Sequence, residues 1–209
     1  MRRRTRAGAY RGKRGLDLLL LLPFSVPAAL VAAVCALAVR RSSPGPVLFR
    51  QERIGRGGRP FEVLKFRTMV VEAAERPGFP EEELITPTGR WLRRFSLDEL
   101  PQLVNVLRGD MSLVGPRPTL AYQVERYDDR QRGRLAVRPG ITGLAQVRGR
   151  NAITWGERIE HDLEYVERQS LLLDLAILAR SLLGVIRGGG VEGHPMDDPL
   201  AVAPARDGG

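Results

Sequence analysis

The run LLLLLPFSVPAALVAAVCALAV, residues 18–39, carries no charge and decides how the chain is built. As a straight helix it would be about 33 Å long at roughly 1.5 Å per residue, enough to cross a bilayer. Its flanks argue against a plain crossing. Upstream, MRRRTRAGAYRGKR (1–14) holds basic residues and no acid. Downstream, Arg40, Arg41, Arg50, Arg53, Arg56, Arg59, Lys65 and Arg67 stand against Glu52 and Glu62. Positive flanks stay on the cytoplasmic side, so both ends ask for the same side. Pro23 and Pro27 each remove a helix donor and favour a bend, and Ser25 between them offers a replacement hydrogen bond. Together these features predict a re-entrant helix-break-helix over 15–41, with its break at Ser25 and Pro27. A straight span and a buried soluble helix are the alternatives. A cleaved signal peptide fits less well: Asp17 sits at the entrance, and no small-residue cleavage pattern precedes Arg40-Arg41.

Across 209 residues the formal charge is +9, which draws the chain to phosphate-rich partners such as nucleic acid, anionic lipid or nucleotides. Aromatic residues make up 6%, thin for stacking on single-stranded bases, so nucleic acid is not expected as a partner. The single Cys35 excludes a disulfide scaffold, and with only His161 and His194 there is no zinc cluster.

Beyond the turn-rich SSPGP (42–46), residues 47–67 read as two short strands joined by Gly55–Pro60. The GRGG portion lacks the ending of a phosphate loop. Residues 70–85 read as an acidic helix and loop, and residues 88–95 as a short basic helix. Then comes FSLDELPQ (95–102). Ser96-x-x-Glu99 has the form of a capping box, with Leu97, Leu100, Leu103, Val104 and Leu107 on one face of the helix it would start. Pro101 is awkward in that register, and a helix starting nearer Leu100 leaves Asp98 and Glu99 in its approach. GDMSLVGPRP (109–118) and VRPGITGLAQVRGRN (137–151) read as structured loops, 155–168 and 170–187 as helices, and 188–209 as a disordered tail. The expected fold is α+β, mostly helical. A basic flank (1–14) and the re-entrant helix precede a small cytosolic catalytic domain (42–187) with a β-hairpin and amphipathic interfacial helices.

Arg93, Arg117 and Arg148 come from three separate segments, and their convergence would build a diphosphate site. A solvated basic face is the plainer reading. Asp98 and Glu99, as neighbours, point about 100° apart on a helix, so they would do separate jobs rather than share a proton. One would attack phosphorus while the other orients a group or helps hold Mg²⁺. Read from spacing alone, an ordinary helix cap competes with that chemistry.

Five blocks settle the preference: KRGLDLLLLL, SSPGPVLFRQERIGRGGRPFEVLKFRTM, RRFSLDELPQLVNVLRGDMSLVGPRP, RPGITGLAQVRGRN and DLEYVERQSLLLDLAIL. In content and order they resemble the bacterial sugar transferases that act on polyprenol phosphate, the monotopic phosphoglycosyl transferases. The resemblance implies transfer of a sugar 1-phosphate from a UDP-sugar to undecaprenyl phosphate, releasing UMP, at the cytoplasmic face of the inner membrane. It implies that Asp98 forms a covalent phosphosugar intermediate, that Glu99 assists, that Arg93 and Arg117 bind phosphate or substrate, and that Mg²⁺ is required, with Asp98 as its candidate ligand. Lys65, Arg67, Arg148 and Asp162, all within the matching blocks, complete the candidate substrate-binding set. Membrane lipid and a second copy of the chain are further expected partners. The family usually breaks its membrane helix at an adjacent Ser-Pro, whereas Val26 here separates Ser25 from Pro27. With one apolar run before the catalytic blocks, the chain resembles the family's short form. The competing reading is a non-enzymatic, membrane-anchored basic module that binds anionic lipid or nucleic acid.

Overall fold

The computed structural model describes residues 8–71, 81–149 and 153–186. The expected disordered tail, the stretch 72–80 and the basic residues 1–7 lie outside these. Helix α1 (Lys13–Ser42) leads into an antiparallel hairpin, β1 (Leu48–Ile54) and β2 (Pro60–Phe66), in register Leu48↔Phe66 to Ile54↔Pro60. Short helices α2 (Glu81–Leu84), α3 (Pro87–Arg94) and α4 (Gln102–Arg108) follow. Then come β3 (Ser112–Val114), α5 (Ala121–Glu125), β4 (Gly140–Thr142), α6 (Leu144–Arg148), α7 (Trp155–Arg168) and α8 (Leu171–Ile186).

The α+β, mostly helical expectation and the hairpin agree with this architecture, as do α7 and α8. The segments expected to be two loops, 109–118 and 137–151, instead pair in parallel as β3 and β4, Ser112 with Gly140 and Val114 with Thr142. Three-residue strands show no alternation that a sequence can reveal. The pairing depends on contact distances only glycine allows. A Cβ on Gly140 would lie 2.1 Å from the Gly115 nitrogen.

Helix α1 runs unbroken through Pro23 and Pro27, so the break expected at Ser25 and Pro27 is not present; the Ser25 hydroxyl donates to the Leu22 carbonyl at 2.7 Å, the replacement bond that keeps the turn helical. Its inward stripe is Lys13, Asp17, Leu21, Ser25, Ala28, Ala32, Cys35 and Val39. The stripe is buried at both ends and half-exposed in the middle, and every other position from 22 to 34 is exposed. Leu21 shares an apolar cluster with Val63 of β2, and Cys35 and Val39 share one with Phe66 of the same strand and with Leu92. Leu21 toward one end of α1 and Cys35 toward the other therefore both pack with residues of β2.

The N-terminal arm is held by charge. Lys13 donates to Asp174 Oδ2 at 2.7 Å, and Tyr10 and Tyr165 donate to the same carboxylate at 2.8 Å each. Asp17 accepts from the Ser112 hydroxyl at 2.9 Å and from the Leu113 amide at 3.1 Å. The C-terminal exit is strapped by Arg67, which donates to the carbonyls of Ser43, at 2.8 Å, and Pro44.

Two helices reverse the usual pattern. On α4 the apolar Val104 and Leu107 are exposed, while Gln102 and Asn105 are buried with Val106. The cause is local: Asn105 caps the edge of β2, donating to the Glu62 carbonyl at 2.7 Å and accepting from the Leu64 amide at 3.1 Å. On α8 the charged Asp174 is buried with Ile177, while Leu172, Leu182, Leu183 and Ile186 are exposed. The same domain carries α1, which is long and apolar enough to cross a membrane.

Candidate active site

Between α3 and α4 the chain makes one turn that places both acids. Ser96 adopts the left-handed conformation (φ 53°, ψ 24°), costly for a residue with a Cβ, and no capping hydrogen bond comes from its side chain. The capping-box expectation therefore fails at Ser96, because that backbone is bent to launch a 3₁₀ turn over Leu97–Glu99. Helix α4 begins only at Gln102, with Pro101 at its cap, where a missing N–H does no harm. Asp98 and Glu99 thus sit in the approach.

They face different surroundings. The Glu99 carboxylate accepts from Lys65 Nζ at 2.9 Å and from Arg117 Nη2 at 3.1 Å. Burial pushes its pKa up, but Lys65 and Arg117 outweigh that and hold it at about 2. Asp98 is 3% exposed, its nearest cation is Lys65 Nζ at 4.0 Å from Oδ2, and no hydrogen bond to its carboxylate is recorded among the described residues. Burial raises its pKa, and Glu99 adds to this; Lys65, Arg117 and Arg93 pull the other way without cancelling it.

Each cation is brought in by a different element. Lys65 is on β2. Arg117 follows the Gly115 contact between β3 and β4, and its backbone carbonyl accepts from Arg134 Nη2 at 3.0 Å. Arg93 lies one turn after Gly89, whose missing side chain lets α3 close on Thr68: a Cβ there would sit 2.0 Å from the Thr68 carbonyl oxygen. Arg93 Nε in turn donates to the Thr68 hydroxyl at 2.9 Å.

Of the expected site residues, the structure gathers Asp98, Glu99, Lys65, Arg93 and Arg117. Arg67 is engaged by the exit of α1. Arg148 pairs with Glu164 and contacts His161 on the exposed side of α7. Asp162 is fully buried against Arg134, which also reaches Tyr127 and the Arg117 carbonyl, so it supports the Arg117 loop from behind. Three residues beside the acids escaped the sequence reading. Gln51, Arg53 and Gln102 line a cleft with Lys65, Arg117 and Pro118. Burial, then the neighbouring Arg117, lower Arg53 to about 10, against the opposing pull of Tyr122 and Glu99. Strand alternation was the available signal, since 49, 51 and 53 share a hairpin face with their partners 65, 63 and 61.

Lys65→Gln tests this electrostatic arrangement. The raised pKa of Asp98 means that its anion is lost at a higher pH than for an ordinary aspartate, which limits any reaction that needs Asp98 ionised. Removing the Lys65 charge raises it further. The acid limb of a kcat/KM profile is expected to move to higher pH, with activity at neutral pH falling on the order of 10²-fold.

A buried carboxylate beside Lys65, Arg93 and Arg117 is a site suited to an anionic substrate. Residues 9–188 match the family described as bacterial sugar transferase, and the chain belongs to that family. Its relatives include the uncharacterized sugar transferase EpsL of Bacillus subtilis, 47% identical over 74% of this chain and 77% of that protein. The UDP-glucose:undecaprenyl-phosphate glucose-1-phosphate transferase of Caulobacter vibrioides is 44% identical over 81% of this chain and 68% of its own length. The undecaprenyl-phosphate galactose phosphotransferase of Salmonella typhimurium is 41% identical over 70% of this chain but only 34% of its own. The protein is a sugar-phosphate transferase enzyme.

Proposed function

We propose that this chain transfers a hexose 1-phosphate from a UDP-hexose to undecaprenyl phosphate by way of an aspartyl intermediate at Asp98. The observation that carries the reading is the unequal treatment of two adjacent acids. Glu99 is clamped as an anion by Lys65 and Arg117, while the buried Asp98 carboxylate has no hydrogen bond among the described residues. An Asp98 oxygen attacks the sugar-bearing phosphorus, and the bond from that phosphorus to the bridging oxygen breaks. UMP leaves with the bond's electron pair. A phosphate oxygen of the polyprenol then attacks the same phosphorus and returns Asp98 as a carboxylate. Lys65, Arg93 and Arg117 offset the charge on the diphosphate during both steps.

The residues fit Mg²⁺, which takes one or two carboxylates together with substrate phosphate oxygens rather than an all-protein cage. Among the described residues no cluster of three or more His, Cys, Asp or Glu side chains exists, so Asp98, with the donor's phosphates, would hold it. Bound there, the ion would neutralise diphosphate charge.

The seat is the cytoplasmic face of the inner membrane, with α1 re-entrant. The support is that Leu21 and Cys35, toward opposite ends of α1, both pack with residues of β2, Val63 and Phe66. In a straight span they would be about 21 Å apart along the membrane normal, with the domain on one side only. In a Cys35→Ser background, Arg11→Cys and Ser43→Cys are both expected to resist an impermeant maleimide applied from the periplasm. Labelling of Arg11→Cys alone contradicts the re-entrant path.

For the reaction, the purified chain is given radiolabelled UDP-glucose, UDP-galactose or UDP-N-acetylglucosamine with undecaprenyl phosphate. A lipid-linked product with a UDP-hexose, and UMP rather than UDP as by-product, is the expected outcome. UDP release would show glycosyl rather than phosphoglycosyl transfer.

A further inference from the structure

At the tip of the hairpin, away from the catalytic acids, lies a second concavity of about 370 Å³. It is lined by Arg56 and Arg59 of the β1–β2 connection, by Gly109 and Asp110 after α4, and by Arg138 before β4. Phe61 at its edge precedes Lys65 by four residues on β2, about 13 Å at roughly 3.3 Å per residue, so this is not the catalytic cleft.

Its charge has no internal explanation. Three arginines share the cavity with one carboxylate, Asp110, yet among the described residues none of the three is paired with a carboxylate. Arg138 is fixed by its Nε, which donates to the Gly109 carbonyl at 2.6 Å, and its two outer nitrogens have no recorded partner. A fourth arginine crowds the rim: Arg14 of α1 donates to the carbonyls of Val106 and Leu107, the latter at 2.9 Å, and its guanidinium lies against Gly109. Burial, then Arg56 and Arg14, push Arg138 below the usual arginine range, and the opposing pull of Asp17 and Asp110 does not cancel this. Guanidinium groups on separate segments around one cavity match the geometry of a phosphate, which accepts several charge-assisted bonds at once.

We propose that this concavity is a phosphate-binding site separate from the catalytic one. Its ligand is a phosphate group, and the position beside the root of α1 and the exposed Leu107 places it where a phospholipid headgroup would lie. Occupied, it ties the hairpin tip, the end of α4 and the approach to β4 to the first turns of α1. That would fix the catalytic elements at one height above the bilayer. The proposal does not depend on which group the enzyme transfers.

The test uses the full chain reconstituted in phosphatidylcholine nanodiscs, with two probes: inorganic phosphate, followed by ³¹P line broadening, and phosphatidylglycerol incorporated in the disc. The double variant Arg56→Gln/Arg59→Gln alters exposed loop residues that hold no part of the core. Arg90→Gln/Arg94→Gln removes the same charge from exposed positions of α3. The tip variant is expected to weaken at least one probe about tenfold, the scale of a lost charge-assisted bond, with the α3 variant changed far less. Weakening of inorganic phosphate identifies a site open to free phosphate, and weakening of phosphatidylglycerol alone identifies a headgroup site. Equal behaviour of the two double variants toward both probes overturns the proposal, since generic surface charge would then be the whole effect.

Discussion

Asp98→Asn is expected to abolish sugar-phosphate transfer, lowering kcat by about 10⁴-fold or more, as loss of a nucleophile does. The amide is nearly the same size and meets the same buried pocket, so the protein should remain folded and membrane-bound. Its folding is even relieved of burying a carboxylate whose pKa is raised by that burial. The variant should therefore be at least as resistant to heat as the parent in the same detergent. Glu99→Gln differs in kind. It removes the negative charge that Lys65 and Arg117 both face and leaves them a neutral amide oxygen, so stability and activity should fall together. Retention of near-normal turnover by Asp98→Asn would show that another group attacks phosphorus.

The second large effect lies far from the acids. Asp174→Ala takes from the buried Lys13 its closer carboxylate, leaving only Asp17 at 3.7 Å, and strips acceptors from Tyr10 and Tyr165. Breaking a buried ion pair from one side costs about 3–5 kcal/mol. For a chain of this size that is on the order of 10 °C in the unfolding midpoint. The loss should appear first in the arm of α1 around Lys13, read as proteolysis near the N-terminus at temperatures where the rest of the chain resists. Asp174→Asn keeps an acceptor oxygen for one of the two tyrosines and should recover part of the loss. No change in either variant would mean that α1 is held mainly by its apolar contacts.

Much of the scaffold is legible in the residues. The hairpin follows from two short strands around a glycine-rich connection, α7 from Ile159, Leu163 and Val166 on one face, and the long apolar helix α1 from an uncharged run. Asp98 and Glu99 could be placed at a helix approach because Pro101 forbids an earlier start. What the sequence hides depends on partners distant in the chain. The apolar row on α4 reads as a core face, but Asn105 must turn inward to cap β2, and Val104 and Leu107 go outward with it. Arg148 and Arg117 sit in equally turn-rich loops, yet only Arg117 follows a glycine pinned between β3 and β4 at distances no other residue allows. Asp162 looks like any helical acid until Arg134, 28 residues upstream, is found against it. Arg53 needed the hairpin register before it could be seen beside Lys65 and Arg117.

The central claim is a covalent step at Asp98, and intact-protein mass spectrometry tests it most directly. The chain is incubated with the UDP-hexose that supports turnover, without polyprenyl phosphate, quenched in acid and digested. The expected result is a hexose-phosphate adduct on the peptide containing Asp98, formed with release of UMP, absent from Asp98→Asn and discharged by added undecaprenyl phosphate. UMP release that requires the acceptor, with no adduct at any time, would contradict the account and point to direct transfer between donor and acceptor.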